Sequence, residues 1–223
     1  MTRITTFDIF GYNFPHWKTQ NGIFNLLMNG YKPNTIVLQD KKQLNIPHSE
    51  YRITPQDEYL LQPKLICEVL GLNYIVQDHD SFIPTADYAI ILGARILKKE
   101  TVKKYKGILN LHPGILPGNR GLDNLKHSVI RNLPIGVTAH FIDQRIDMGR
   151  IIKTECVRID TTDSLKDVYL KQRNLEQKLL IDVMKMENIT TKDCLFTEKF
   201  TAIDSYNDSV INELFEDYKT ISV

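Results

Sequence analysis

The chain has 223 residues, 42% hydrophobic and 25% charged, with a net charge of +1 from 28 basic and 27 acidic side chains. That length buries one ordinary core with at most a small appendage, and the balanced charge supplies neither a polycation for nucleic acid nor an acidic tail. Three widely spaced cysteines, Cys67, Cys156 and Cys194, fit neither a disulfide framework nor a zinc site, and no apolar run has the length of a membrane span.

Taken in chain order, residues 4–10 read as an apolar strand ending at Gly11. Ile23, Phe24, Leu26 and Leu27 then mark one face of a helix that stops at Gly30. Residues 35–39 and 73–77 are further strands. Between them residues 63–70 form a helix with Pro63 near its start and Gly71 just past its end. Strands follow at 88–92 and 108–111, a helix at 123–131, and a strand at 135–142. Continuous apolar runs of this kind suit strands covered on both faces, as in parallel sheets. Their alternation with helices predicts an α/β fold with a doubly wound, mainly parallel sheet.

Residues 151–159 add one more strand. Asp163 or Ser164 then caps a long helix in which Leu165, Val168, Tyr169, Gln172, Leu175, Leu179 and Val183 recur at helical spacing. Residues 1–187 are thus expected to form the catalytic domain, and residues 188–223 an extension too short for its own core. Apolar spots in the extension, at Leu195, Phe196, Phe200, Ile211, Leu214 and Phe215, predict packing on the main domain or against a second subunit, hence a homodimer. A cytoplasmic location without nucleic-acid or membrane partners is the matching expectation. His48, His79 and the cysteines are expected to be structural or exposed.

Asn110 and His112 stand two apart at the end of an apolar strand, so both side chains face one side of the sheet. Pro113-Gly114 and Pro117-Gly118 carry the chain into irregular loops beyond that end, where open α/β sheets bind ligands. Asp147 follows the next strand, with Gly149 giving the chain room to bend around it. A carboxamide, an imidazole and a carboxylate together suit acyl transfer to an amine. Asn110 and a protonated His112 would stabilise an oxyanion, while Asp147 would accept the amine's proton and orient the imidazole. No metal is required.

These residues also carry a family resemblance. The stretch Asn110-Leu111-His112, its His112-Pro113 loop through Pro117, Gly136-Val137-Thr138-Ala139-His140 and Asp147-Met148-Gly149 resemble the formyltransferases that use N10-formyltetrahydrofolate. The matching portion runs from about residue 87 to residue 152. The resemblance implies a Rossmann-like formyltransferase fold and Asn110, His112 and Asp147 as the catalytic trio. It also implies a pterin pocket built from Leu92, Gly93, Ala94, Arg95, Ile96 and Leu97 on one side and from His140 and Asp143 on the other.

Residues 117–126, including Arg120 and Asp123, are similar to the segment found in sugar-nucleotide N-formyltransferases. The implied acceptor is a nucleotide-linked dideoxy-amino sugar, such as dTDP-4-amino-4,6-dideoxyglucose, on a route to surface polysaccharide or O-antigen. His127 departs from the Trp that such relatives often carry. Asn13, His16, Trp17 and Lys18 replace the glycine-rich phosphate loop of a glycinamide ribonucleotide transferase and are candidates for contacting diphosphate or base. Another amine acceptor, a ribonucleotide or an aminoacyl-tRNA, is the nearest alternative. A noncatalytic folate- or nucleotide-binding module is the more distant one.

Overall fold

A computed structural model describes residues 3–41, 59–195, 197–200 and 208–222. His48 and Phe196 lie outside the described residues. A seven-stranded sheet runs in the order β3 (Tyr74–Val76), β2 (Ile36–Gln39), β1 (Phe7–Tyr12), β4 (Tyr88–Ile91), β5 (Gly107–His112), β7 (Gly136–Phe141) and β8 (Arg150–Cys156). The pairs from β3 through β5 are parallel, whereas β5–β7 and β7–β8 are antiparallel. Two further short strands, β6 (Arg120–Gly121) and β9 (Lys199–Phe200), pair as a separate parallel ribbon.

Helices α1 (Trp17–Met28), α2 (Pro63–Val69), α3 (Lys99–Val102), α4 (Asn124–Arg131), α5 (Leu165–Met184) and α6 (Asp208–Ser222) complete the fold. Successive residues of β1 explain why its strand is apolar throughout. Ile9 joins the core shared with α1, α2 and α5, while Phe10 joins a second core with Phe82, Tyr105 and Ile108 on the other face. Pro63 occupies the first turn of α2, as expected. Ser164, rather than Asp163, caps α5 through a reciprocal pair with Asp167. Asp163 instead receives Lys171 and the backbone of Asp160.

The extension packs on its own chain. Ile211, Phe215 and Tyr218 of α6 are buried with Val129, Ile135, Leu165 and Val168, and the Tyr218 hydroxyl donates to the Leu133 carbonyl. The homodimer expectation drew on apolar residues of this segment, and here Ile211 and Phe215 are consumed within the chain, although Leu195 remains exposed. Among the described residues no helix is long and apolar enough to cross a membrane. His79 is buried and bonded to the carbonyls of Gly11 and Val37; Cys67 and Cys194 are buried and Cys156 exposed.

Candidate active site

Strand β5 ends at the point where the sheet changes from parallel to antiparallel pairing. Its register with β7 sets Asn110 opposite His140 and His112 opposite Thr138. Asn110 Nδ2 lies 3.2 Å from His140 Nε2. Burial lowers the His140 pKa to about 3, with the nearby His112 pushing the same way, so this imidazole is neutral and Nε2 accepts from the carboxamide. One amide hydrogen of Asn110 is thereby occupied, and the second is left for the cavity.

His112 is held from the opposite side. Its Nε2 lies 2.8 Å from the Asn119 carbonyl, which can only accept, so Nε2 carries the proton and Nδ1 carries the lone pair in the neutral ring. The Asn119 side chain is fixed by the Asn124 carboxamide, the Asn124 carbonyl and Ser128. Nδ1 faces Asp147 Oδ1 at 3.5 Å, longer than a good hydrogen bond but within ion-pair range. Burial lowers the His112 pKa more than Asp147 raises it. The resting ring is therefore neutral, and the donor role read from the sequence needs a proton that His112 gains during the reaction.

Asp147 is presented by a tightly bound loop. Its φ is 51°, and Asp123, which lines the same cavity, has φ 50°, both in the left-handed region that side-chain-bearing residues seldom occupy. The Gly121 N–H donates to Asp147 Oδ2 at 3.0 Å. A Cβ at Gly149 would collide with the Phe141 carbonyl, so only glycine lets the loop return this closely against β7. Arg120 bonds the carbonyls of Ile146 and Thr197, and its guanidinium anchors the loop instead of lining the cavity.

A cavity of about 600 Å³ contains Asn110, His112 and Asp147 together with Lys18, Arg95, Asp123 and Asp143. Ile91, Ala94, Ile96, Leu97 and Ile142 give it an apolar wall. The peptide groups of Ala94 to Leu97 take no hydrogen-bond partner among the described residues, which leaves a donor and acceptor edge for a flat heterocycle. Leu92 and Gly93 lie outside this lining; Leu92 is buried in the core beside Gly22, and Gly93 lies against Tyr12 and Thr19. His140 is likewise behind the wall, touching Asn110. Asp143 lines the cavity, with Arg145 bound to its carboxylate.

The early candidates divide. Lys18 reaches the cavity, where its ammonium donates to the Leu111 carbonyl at 2.6 Å and meets Glu176 at 3.3 Å. Trp17 packs under the Arg173 guanidinium at 3.9 Å, away from the trio. Asn13 donates to Asp40, and His16 caps α1 through Thr19, with burial lowering its pKa to about 4. Sequence reasoning did not identify Asn119 and Asn124 as the holders of His112, Glu176 as the partner of Lys18, or Lys199 and Phe200 as cavity residues. Two buried carboxamides five positions apart were the available signal for the first pair. His127 stacks on Phe200, at 4.4 Å between centroids. Among the described residues no cluster of ligating side chains could hold a metal ion.

Comparison with known proteins finds formyl transferases by sequence and by fold. A phosphoribosylglycinamide formyltransferase of Bacillus subtilis (strain 168) is 26% identical over 155 residues, covering 69% of this chain and 75% of that protein. The chain spans half or less of the formyltetrahydrofolate deformylases and methionyl-tRNA formyltransferases it also matches. A 4-N formyltransferase from Francisella tularensis shares the fold with a TM-score of 0.64 at 18% identity, over 95% of this chain and 86% of that one. WlaRD, a sugar 3N-formyl transferase solved in the presence of dTDP and 5-N-formyl-THF, gives a TM-score of 0.60 at 19% identity, over 92% and 69% of the two chains. The family model for formyl transferases matches residues 73–184, half of the sequence and the part that carries Asn110, His112 and Asp147, and the chain belongs to that family.

Proposed function

We propose that this enzyme transfers a formyl group from N10-formyltetrahydrofolate to the amine of a nucleotide-linked dideoxy-amino sugar, with dTDP-4-amino-4,6-dideoxyglucose as the first acceptor to test. The observation that carries the reading is the convergence of Asn110, His112 and Asp147 in one cavity with an apolar wall and an unpaired backbone edge. That edge, at Ala94 to Leu97, would hold the pterin, and the folate when bound supplies an electrophilic formyl carbon. Asn110 donates its free amide hydrogen toward the oxygen that gains charge. The neutral His112 Nδ1, with Asp147 beside it, takes the proton that the attacking amine loses. The imidazolium so formed is stabilised by the Asp147 carboxylate and by the Asn119 carbonyl, and it would return its proton to the folate N10 as the bond from N10 to the formyl carbon breaks. No residue of the chain has to form a covalent bond to the acyl group.

The sugar acceptor draws support from neighbours in fold space that are themselves sugar N-formyltransferases. A ribonucleotide amine is the second reading, favoured by the Bacillus subtilis relative. Incubating the protein with N10-formyltetrahydrofolate and a panel of dTDP- and UDP-linked amino sugars should yield a product 28 Da heavier by mass spectrometry, about one carbonyl group (roughly the mass set by exchanging one hydrogen for a formyl in acyl transfer). Preferential turnover of glycinamide ribonucleotide would move the acceptor to the second reading. Asn110→Ala should lower kcat by about a hundredfold, as removal of an oxyanion donor does. Unchanged turnover in that variant would reject the catalytic assignment.

A further inference from the structure

The extension enters the active site. Its strand β9 is paired to β6, with Arg120 opposite Lys199 and Gly121 opposite Phe200. Three more contacts fix it there: Arg120 binds the Thr197 carbonyl, Thr197 Oγ1 donates to the Pro117 carbonyl at 2.5 Å, and Phe200 lies between the His127 ring and the Arg131 guanidinium. Gly121 has φ 101°, and a Cβ there would strike the Phe200 carbonyl, so the two short strands approach as closely as their backbones allow. The same Gly121 holds the Asp147 carboxylate through its N–H. Lys199 and Phe200 thereby line the cavity that holds the trio.

The cations lining that cavity are Lys18, Arg95, Arg145 and Lys199. Lys18 is engaged by Glu176 and the Leu111 carbonyl, and Arg145 by Asp143. Arg95 likewise has no ion-pair partner among the described residues, but it belongs to the segment between β4 and α3, beside the apolar wall and away from the β6–β9 ribbon in the chain. Lys199 has no ion-pair partner among the described residues and stands on the β6–β9 ribbon, next to Gly121, Leu122 and Asp123. Of the acids lining the cavity, Asp143 is paired with Arg145 and Asp147 faces His112.

We infer that Lys199 is a specificity-determining residue of an anion subsite, where the extension meets the diphosphate of a nucleoside-diphosphate acceptor. The inference rests on the sugar-nucleotide reading above and goes further, because it gives the extension a part in acceptor selection. A fixed ribbon carrying an ammonium that has no ion-pair partner among the described residues suits a diphosphate because the anion meets a positioned charge. Lys199 acts on binding alone, since among the described residues it makes no hydrogen bond or ion pair with Asn110, His112 or Asp147.

The test uses the full chain with Lys199→Ala and Lys199→Arg. In Lys199→Ala the acceptor KM should rise about tenfold, the scale of one lost charged hydrogen bond, with kcat within about twofold and the folate KM unchanged. Lys199→Arg should restore most of the affinity. Calorimetric titration with inorganic pyrophosphate, without any acceptor, should show binding to the wild type that weakens about fivefold or more in Lys199→Ala. Equal pyrophosphate affinity in wild type and Lys199→Ala, or no pyrophosphate binding by the wild type, overturns the inference. Lys199-dependent pyrophosphate binding in a protein that formylates no nucleotide sugar overturns the sugar-nucleotide reading and leaves the anion subsite standing.

Discussion

His140 shows how far a single buried ring conditions the site. It accepts from Asn110, its pKa is lowered to about 3, and its Nδ1 is buried without a hydrogen-bond partner. His16 is lowered to about 4 by burial. Both rings take up protons in the unfolded chain near pH 6.5 but stay neutral in the fold, so the unfolded state binds more protons between pH 6.5 and about 3. Stability should be fully present above about pH 6.5 and fall as the pH drops through that window, by up to about 1.4 kcal/mol per pH unit for each ring. Urea titrations at pH 7.5, 6 and 5 measure this. In His140→Leu, loss of the ring should flatten the acid dependence and lower kcat by about tenfold with little change in KM, because the Asn110 donor loses its support. An unchanged slope in that variant would contradict the neutral, buried assignment. Asn110, His112 and Asp147 could be singled out in the sequence as polar residues at strand ends and beside glycines, and the structure brings them to one cavity. Asn119 and Asn124 could not be, since Asn119 meets His112, with Asn124 fixing its carboxamide, only once the loop has folded back.

At the scale of the element, the strand ends and the loop behind Asp147 carry the design. The strands and major helices were legible from apolar runs and from caps, as with Pro63 and Ser164. The direction of β7 and β8 was not. A strand, a helix and a strand read the same in sequence whether the second strand returns parallel or antiparallel, and here α4 lies between β5 and an antiparallel β7. The register of β7 with β8 shifts between Ala139 and His140, an irregularity of the kind that re-aims side chains beside active sites. Gly149→Ala tests how tightly the Asp147 loop is built. The added methyl cannot be accommodated without moving the loop off β7, so a destabilisation of about 1–3 kcal/mol is expected, with a loss of kcat that exceeds it in proportion. Calorimetry and steady-state rates on one preparation decide; a wild-type Tm would show the loop to be looser than its contacts imply.

Across the whole molecule, the extension is joined to the domain twice. Helix α6 completes the core of Val129, Ile135, Leu165 and Val168, and β9 closes the wall beside Asp147. The sequence showed the apolar residues of the extension but not their destination, because nothing local says which exposed-looking residue meets a surface far away in the chain. Phe215 is fully buried, and Phe215→Ala should cost about 3–5 kcal/mol, the usual range for emptying such a site. A single urea transition displaced to lower midpoint is expected, since α6 shares its core with α4 and α5. Two separate transitions would show that the extension unfolds on its own.

The antiparallel rung that sets Asn110 opposite His140 has one more consequence. Ladder bonds between β5 and β7 hold that pair, and the connection between the two strands carries α4 and β6, whose residues Gly121 and Asn124 line the cavity. The ladder thus seats the donor amide, while the connection steadies the imidazole and the carboxylate. A lineage could exchange other parts of the connecting stretch while the donor amide stays seated, provided each exchange keeps the Asn119 carbonyl under His112 and a backbone N–H where Gly121 now steadies the carboxylate. That carbonyl and that amide are the tethers by which an otherwise replaceable loop remains answerable to the reaction.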